Sequence, residues 1–409
     1  MRNEKSRSLR YRAEAVIAHG ALTNSKRPQS FVEGVYPTHL ARGIGAEVWD
    51  VDGNKYVDFI CGMGAHLFGY RNQEIDDAVA RQIRQGTIFS LGTELEVEVA
   101  EALTSKFCQI EQLRFLKTAS EACSAAVRIA RAFTGKHYVI SSGYHGWHDE
   151  FTGLTPPATG VPPSHFMQPF PEAGFVPVAS GPRNLVANTA ALIVEPVIVD
   201  ASEERLRYLR ELVSACRREN ILIVFDETIT GLRFPSLSVA KHIGVSPDLT
   251  VMGKAIGGGY PLALVGGRRA VMSCDYFVSS TFAGDCIALA AAKAALKLIN
   301  EPGTVDDLHR TANRFCEQFN SIAPELVRIE GYGTRGAFIG DDMNKALFMQ
   351  ECVKAGILFG PSFFYGTTHH HHDDFVLSTA KAVFNRMRTG QVRLEGKVPQ
   401  KPYAQKARE

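Results

Sequence analysis

The stretch Asp248-Leu-Thr-Val-Met252-Gly-Lys254-Ala-Ile-Gly-Gly-Gly-Tyr-Pro261 decides how the rest of the sequence reads. A short apolar run delivers a lysine into a loop that holds three glycines in a row. Exposed lysines rarely sit in such surroundings, so Lys254 is expected at the end of a buried strand. Upstream, Ile221-Leu-Ile-Val-Phe225 runs into Asp226-Glu227-Thr228 in the same manner. Apolar runs without alternation mark strands buried on both faces of a parallel sheet. Further strands are predicted at Leu113–Leu116, Tyr138–Ser141, Ala191–Val194 and Leu262–Val265, with amphipathic segments such as Glu203–Arg218 between several of them. That alternation predicts an α/β fold with a mainly parallel sheet flanked by helices.

On the N-terminal side, Gly45 to Phe59 reads as a hairpin around Asp52-Gly53, a favoured tight turn. Residues 72 to 106 carry helical spacing, and the Ala-rich helix 286–300 closes the strand-rich region. Beyond it the chain reads helix (305–321), strands (326–340), helix (344–355) and a final helix (373–388), a separate and smaller α/β domain. For 409 residues, two or three domains are the expectation. Apolar residues make up 45% and charged residues 22%, enough to bury a core without staples. The formal charge of +2 implies no polyanionic partner, so nucleic acid is not expected. No apolar run is long enough to span a membrane, and the basic N-terminus lacks the apolar core of a signal peptide. The eight cysteines show no CxxC and no zinc-like spacing, so free thiols and a cytoplasmic location are expected.

Two residues carry the chemistry. Asp226 stands at the C-terminal end of a buried strand, where open α/β sheets place ligands. Its burial requires a cation or strong donors in compensation. Lys254, desolvated at a neighbouring strand end, has the setting of a nucleophilic amine. Together they suit pyridoxal phosphate, which needs a lysine to form a Schiff base and an acidic partner for its ring nitrogen. A phosphate cradle is available at Thr118-Ala119-Ser120-Glu121-Ala122, where small residues open a helix and present free N–H groups. An ordinary helix cap would use the same residues. Tyr144-His145-Gly146-Trp147-His148 offers an aromatic to stack on the ring. Its two histidines lack a third ligand at helpful spacing, so no metal site is expected.

In order, T-A-S-E-A (118–122), Y-H-G (144–146), V-E-P (194–196), D-E-T-I-T-G-L-R (226–233), M-G-K-A-I-G-G-G-Y-P (252–261) and S-T-F-A-G (280–284) resemble the class III aminotransferases. Within them the chain is most similar to the glutamate-1-semialdehyde aminomutase branch, over residues 30 to 385. The resemblance implies a PLP-dependent transferase of fold type I, a homodimer with shared active sites. Its large domain would span 61–290. A small domain built from both chain ends would take 1–60 and 291–390, with a loosely ordered polar tail at 391–409. It implies catalytic roles for Lys254 and Asp226. Cofactor contacts would come from Thr118, Ala119 and Ser120 at the phosphate and from Tyr144 and His145 at the ring. Glu195 and Thr228 would also belong to the cofactor-binding set, and Thr281 would reach the phosphate of the neighbouring subunit.

The sequence also departs from that family. Ala119 stands where the family has glycine, and Gly284-Asp285-Cys286 replaces Gly-Asn-Pro. Met63 occupies the place of a pocket aromatic, Gly69-Tyr70-Arg71-Asn72-Gln73 replaces G-H-N-H-P, and Arg27 lies only adjacent to the expected carboxylate-binding arginine. Gly331-Tyr-Gly333-Thr-Arg-Gly336 imitates a dinucleotide fingerprint, but Ala337-Phe-Ile-Gly-Asp-Asp is no helix, and a strand-turn-strand is expected. The run His369 to His372 reads as a solvated helix start. The leading activity is transfer of an amino group from an amino acid or amine donor to a carbonyl acceptor. The runner-up is an intramolecular aminomutase. A silent cofactor-fold binding module and a nicotinamide dehydrogenase are the readings from other classes.

Overall fold

The computed structural model describes residues 3–152, 167–169 and 187–400. The chain divides into two compact units, Gln73–Val305 and a second made of Met1–Asn72 with Asp306–Glu409.

The larger unit is built on a seven-stranded sheet. Its order is Gln112–Leu116, Ala263–Gly267, Leu249–Met252, Leu222–Asp226, Thr189–Val194, Tyr138–Ser142 and Met167–Pro169. The five strands from Leu249–Met252 onward pair in parallel. Ala263–Gly267 runs antiparallel to both its neighbours. The strands Leu222–Asp226, Leu249–Met252 and Ala263–Gly267 are buried along their whole length, as their continuous apolar runs require. Each strand foreseen in this region is present within two residues of its expected ends. The Met167–Pro169 strand carries no apolar run of its own and was not foreseen.

The helix Ala119–Thr134 packs on this sheet through Ala122, Cys123, Ala125, Ala126, Val127, Ile129 and Ala130. Small side chains on that face let the helix approach the strands closely. A capping box opens it: Thr118 Oγ1 accepts from Glu121 N–H while the Glu121 carboxylate accepts from Thr118 N–H. Gly135, with φ 67, closes it in the left-handed conformation. The helical spacing over 72–106 belongs to two helices, Gln73–Ile83 and Glu94–Lys106. A Thr93–Glu96 capping box starts the second one afresh.

The Ala-rich helix Cys286–Asn300 packs on both of those helices, so it belongs to the larger unit. That is why the boundary falls after Val305 rather than at the expected 290, and the N-terminal boundary after Asn72 rather than 60.

The smaller unit draws on both ends of the chain. Ile357–Leu358 pairs in parallel with Lys55–Asp58, extending the hairpin that turns at Asp52-Gly53. Its core is aromatic. Phe59, Phe315 and Phe363 stack with centroids 5.3 to 5.8 Å apart, and Phe348 stacks on Phe384 at 4.8 Å. The Gly331 to Gly336 fingerprint is the turn between the antiparallel strands Arg328–Gly331 and Arg335–Ile339, which removes the dinucleotide reading.

The histidine run differs from expectation. It does form a turn before the helix Asp373–Arg388, but His369 is buried, accepts from Gly366 N–H and faces the Asp58 carbonyl at 2.9 Å. Only its neighbours His370 and His371 are exposed. The tail is likewise better held than its composition suggested. The Gln350 side chain is bonded to Arg393 and Glu395 backbone, and Lys397 N–H donates to the Glu33 carbonyl. Residues 401–409 lie outside the described residues. All eight cysteines are free thiols, and Cys108 is exposed.

Asp58 gives this unit a pH signature. It is buried, accepting from Tyr70 O–H at 2.7 Å and Ile60 N–H at 2.8 Å. Burial outweighs those donors and pushes its carboxyl from 3.8 up to about 6. The folded chain therefore keeps this proton to a higher pH than the unfolded chain, and stability from this group is lost as pH rises from about 4 through 6. Asp58→Asn removes that dependence. The destabilisation it causes, measured from urea midpoints, is expected to be smaller at pH 8 than at pH 5 by about 1 kcal/mol. An equal effect at both pH values would refute the assignment.

Candidate active site

Register brings the candidate residues to one edge of the large sheet. Ser142 pairs with Val194, Val194 with Phe225, and Asp226 with Val251. The residues that follow these strand ends therefore emerge side by side: Gly143 to His145, Glu195, Asp226 to Thr228, and Gly253-Lys254. Leu116 enters opposite Ala263, so Thr118 opens its helix at the same edge. This is the carboxyl edge of the parallel strands, where α/β sheets receive ligands.

Asp226 is 4% exposed and fully hydrogen-bonded. Its Oδ1 accepts from Thr228 N–H at 3.1 Å and Thr228 O–H at 2.5 Å. Its Oδ2 faces His145 Nδ1 at 2.9 Å and accepts from the Cys123 thiol at 3.3 Å. Burial alone would raise this carboxyl. The bond and charge of His145 and both bonds from Thr228 outweigh it, and Asp226 sits below its ordinary value. It stays ionised through neutral pH. The other ring nitrogen of His145 faces the Ser142 carbonyl at 3.0 Å. With an acceptor on each side, the imidazole satisfies both only when both nitrogens carry protons.

Cys123, His145 and Asp226 place three potential ligand atoms within 4.8 Å of one another. Their protons already join them by hydrogen bonds, which accounts for the cluster without an ion.

Lys254 is partly buried and has φ 50, a left-handed conformation that costs a non-glycine residue about 1–3 kcal/mol. Gly253 before it and the turn through Gly257 hold it there. His145, the N–H of Tyr144, 2.7 Å from Glu195 Oε2, and the charge of Lys254 pull the Glu195 carboxyl down. Burial and the Asp226 charge win, and Glu195 is raised.

Two glycines shape the opposite side. A Cβ at Gly253 would touch Ala119 and Thr228 side chains at 3.4 and 3.5 Å, so the lysine loop lies directly on the start of the Ala119 helix. A Cβ at Gly146 would meet Ser120 at 2.3 to 2.8 Å, and Gly146 has φ 102. The capping box engages the Thr118 hydroxyl and the N–H groups of Thr118 and Glu121. Among the described residues the first-turn N–H groups of Ala119 and Ser120 are left over, at the positive end of the helix dipole. Such an end can hold an anion.

Tyr144 is 44% exposed, and Thr281 is also exposed. Asp285, a departure from the family pattern, caps the helix Cys286–Asn300 and pairs with Lys117 Nζ at 2.6 Å, next to the start of the helix Ala119–Thr134. Met63 lies in the smaller unit with φ 60, and Arg27 there has a buried Nε without a hydrogen-bond partner among the described residues.

The class III aminotransferase model matches residues 31–365 of this chain. The chain belongs to that family of pyridoxal-phosphate enzymes. A curated relative, the glutamate-1-semialdehyde 2,1-aminomutase of Archaeoglobus fulgidus, is 34% identical over 311 residues, 71% of this chain and 72% of the relative. Among solved structures, a β-phenylalanine aminotransferase from Variovorax paradoxus superposes with TM-score 0.82 at 24% identity, over 95% of each chain. A glutamate-1-semialdehyde aminomutase from Pseudomonas aeruginosa PAO1 superposes with TM-score 0.78 at 20% identity, over 94% of this chain and 94% of that one. At those identities the structures establish the shared fold.

Two participants escaped the sequence reading. Cys123 lies four residues after Ala119 and three after Ser120, so helical spacing alone puts all three on one face. Glu227 is fully buried. Its carboxylate accepts from Thr230 O–H and from Val239 and Ala240 N–H at 2.8 to 3.0 Å, fixing the loop that leaves the site. Its carboxyl is pushed up by burial to about 7.

Gly146→Ala tests the cradle. The added carbon collides with Ser120 backbone and cannot adopt φ 102 without strain. Affinity for pyridoxal phosphate is expected to fall about tenfold or more, with far-UV circular dichroism unchanged. Undiminished affinity would mean that Ser120 and Gly146 do not form the anion site.

Proposed function

We propose that this enzyme is a transaminase that moves an amino group from an amino acid or amine donor to a carbonyl acceptor in two half-reactions. The observation that carries the reading is the meeting of Lys254, Asp226 and the Ala119-Ser120 helix start at one sheet edge. The donor set fits the cofactor of the family. An ionised carboxylate faces inward for a ring nitrogen, a lysine stands on the neighbouring strand end, and a helix start receives a phosphate.

When bound, pyridoxal phosphate supplies a protonated ring that draws in the electrons of a breaking carbon–hydrogen bond. The chain's residues do the rest. Asp226, kept ionised by His145 and Thr228, holds the ring nitrogen protonated. Lys254 would hold the cofactor through its amine and, once freed by the donor, would serve as the base that takes and returns a proton. Ala119 and Ser120 bind the phosphate, with Thr118 holding their turn in shape. Tyr144 covers the ring, and His145 acts through Asp226. Glu195 positions the Tyr144 loop.

The reading includes a homodimer. Thr281 is flanked by Phe277 and Phe282, 77% and 57% exposed. Phe89 and Leu91, also exposed, lie on the loop whose Thr87 carbonyl accepts from Cys286 N–H. A second copy of the chain would cover this apolar surface and take Thr281 into its own site. Among the described residues no helix is long and apolar enough to cross a membrane, and the free thiols suit a cytoplasmic location.

An intramolecular aminomutase would use the same residues, and the names of relatives 31–34% identical favour it. Met63 and Gly69 to Gln73 depart from that branch and favour a different substrate.

Turnover is expected to require both an added amino donor and a carbonyl acceptor. Turnover of a single amino-aldehyde without either would instead establish the aminomutase. Lys254→Ala should abolish borohydride labelling of the cofactor onto the chain. Asp226→Ala should lower kcat by several hundredfold or more while weakening cofactor binding much less. Labelling of a peptide that lacks Lys254, or unchanged turnover in Asp226→Ala, would overturn the assignment.

A further inference from the structure

A carboxylate offers about four lone-pair positions. At Asp226 all of them are occupied by donors of the chain: two from Thr228, one from His145 and one from Cys123. A ring N–H that comes to this carboxylate must take over one of those positions.

The four donors are not equally held. Thr228 donates through its backbone and through a hydroxyl 2.5 Å away, both two residues along the same turn. His145 is locked from its far side by the Ser142 carbonyl. The Cys123 thiol is the weakest donor type of the set, sits at the longest distance, 3.3 Å, and turns about a single side-chain bond. It is fully buried, and burial together with the Asp226 charge holds the thiol well above its ordinary value. It therefore keeps its proton and remains a donor. Its helix is the one that begins at Ala119 and Ser120, so the thiol sits one turn deeper than the anion-binding N–H groups.

We infer that Cys123 is the exchangeable donor on Asp226: its S–H holds the Oδ2 position that the cofactor's ring nitrogen takes over, so residue 123 sets how tightly the cofactor is bound. The inference rests on Asp226 being the partner of the ring nitrogen. No group on the chain changes redox state, and no covalent bond forms. One hydrogen bond is exchanged for another, and the displaced thiol rotates away.

Two substitutions of nearly equal size separate this role from simple packing. In Cys123→Ser a stronger donor holds Oδ2, and the dissociation constant for pyridoxal phosphate, read by equilibrium dialysis, is expected to rise about five- to tenfold. In Cys123→Ala nothing has to be displaced, and the constant is expected to fall about threefold or more. Both shifts should vanish in an Asp226→Ala background. Packing alone would move both variants in the same direction and leave the shifts intact without Asp226. Either of those results overturns the inference. A separate reading tests its foundation: if Asp226→Ala leaves the absorbance of the bound cofactor and its pH dependence unchanged, Asp226 is not the ring's partner. If that spectrum changes while both Cys123 variants bind as wild type does, the fault lies with Cys123 alone.

Discussion

Taking the Asp226 carboxylate out of water costs several kcal/mol, and only donors from separate parts of the chain offset that cost. Thr228 comes from the turn beyond the strand, His145 from the end of another strand, and Cys123 from the helix that follows a third. Their convergence requires the observed register of the sheet and the close approach of the Ala-lined helix. The same convergence brings in the other working parts. The helix that carries Cys123 begins with the turn proposed to bind the phosphate, and the loop that carries His145 lays Gly146 against Ser120 in that turn. Satisfying one buried charge thereby assembles most of the site.

The adjacent carboxyls of Asp226 and Glu227 show how neighbouring acids acquire opposite tasks. Asp226 is bonded to His145, Thr228 and Cys123, sits below its ordinary value and is suited to hold a charge steady. Glu227 is bonded to backbone N–H groups and one hydroxyl, with no cation among its bonded partners, and burial raises it to about 7. Its work is to hold together the loop from Thr230 to Ala240. The distinction comes from surroundings, because the two side chains carry the same chemical group.

How much of this the sequence revealed varies with the physics involved. The places of Asp226 and Lys254 at neighbouring strand ends were legible because a polar residue at the end of a continuous apolar run is costly, and so it stands out. The parallel strands were legible for the same reason. Cys123 was not, since a cysteine among alanines reads as a small apolar residue, and its partner is far away in sequence. The break between Ile83 and Glu94 was hidden because helical spacing persists on either side of it, although the Thr93–Glu96 cap marked the restart. The unit boundary shifted past 300 because an Ala-rich helix carries little sign of which surface it will cover. His369 was misread with its neighbours, although a burial that depends on the Asp58 carbonyl, 311 positions away, cannot be seen locally.

The loop that bears Lys254 leaves the sheet after Met252 and returns at Ala263 on the adjacent, oppositely directed strand, with Leu264 paired to Met252. Both feet of this arch are therefore fastened to the same piece of sheet. A lysine mounted in this way can rotate its side chain but cannot be carried off by a hinge or a sliding element. Any opening beside this arch must come from segments with looser attachments, while the Lys254 amine keeps a fixed station relative to the sheet.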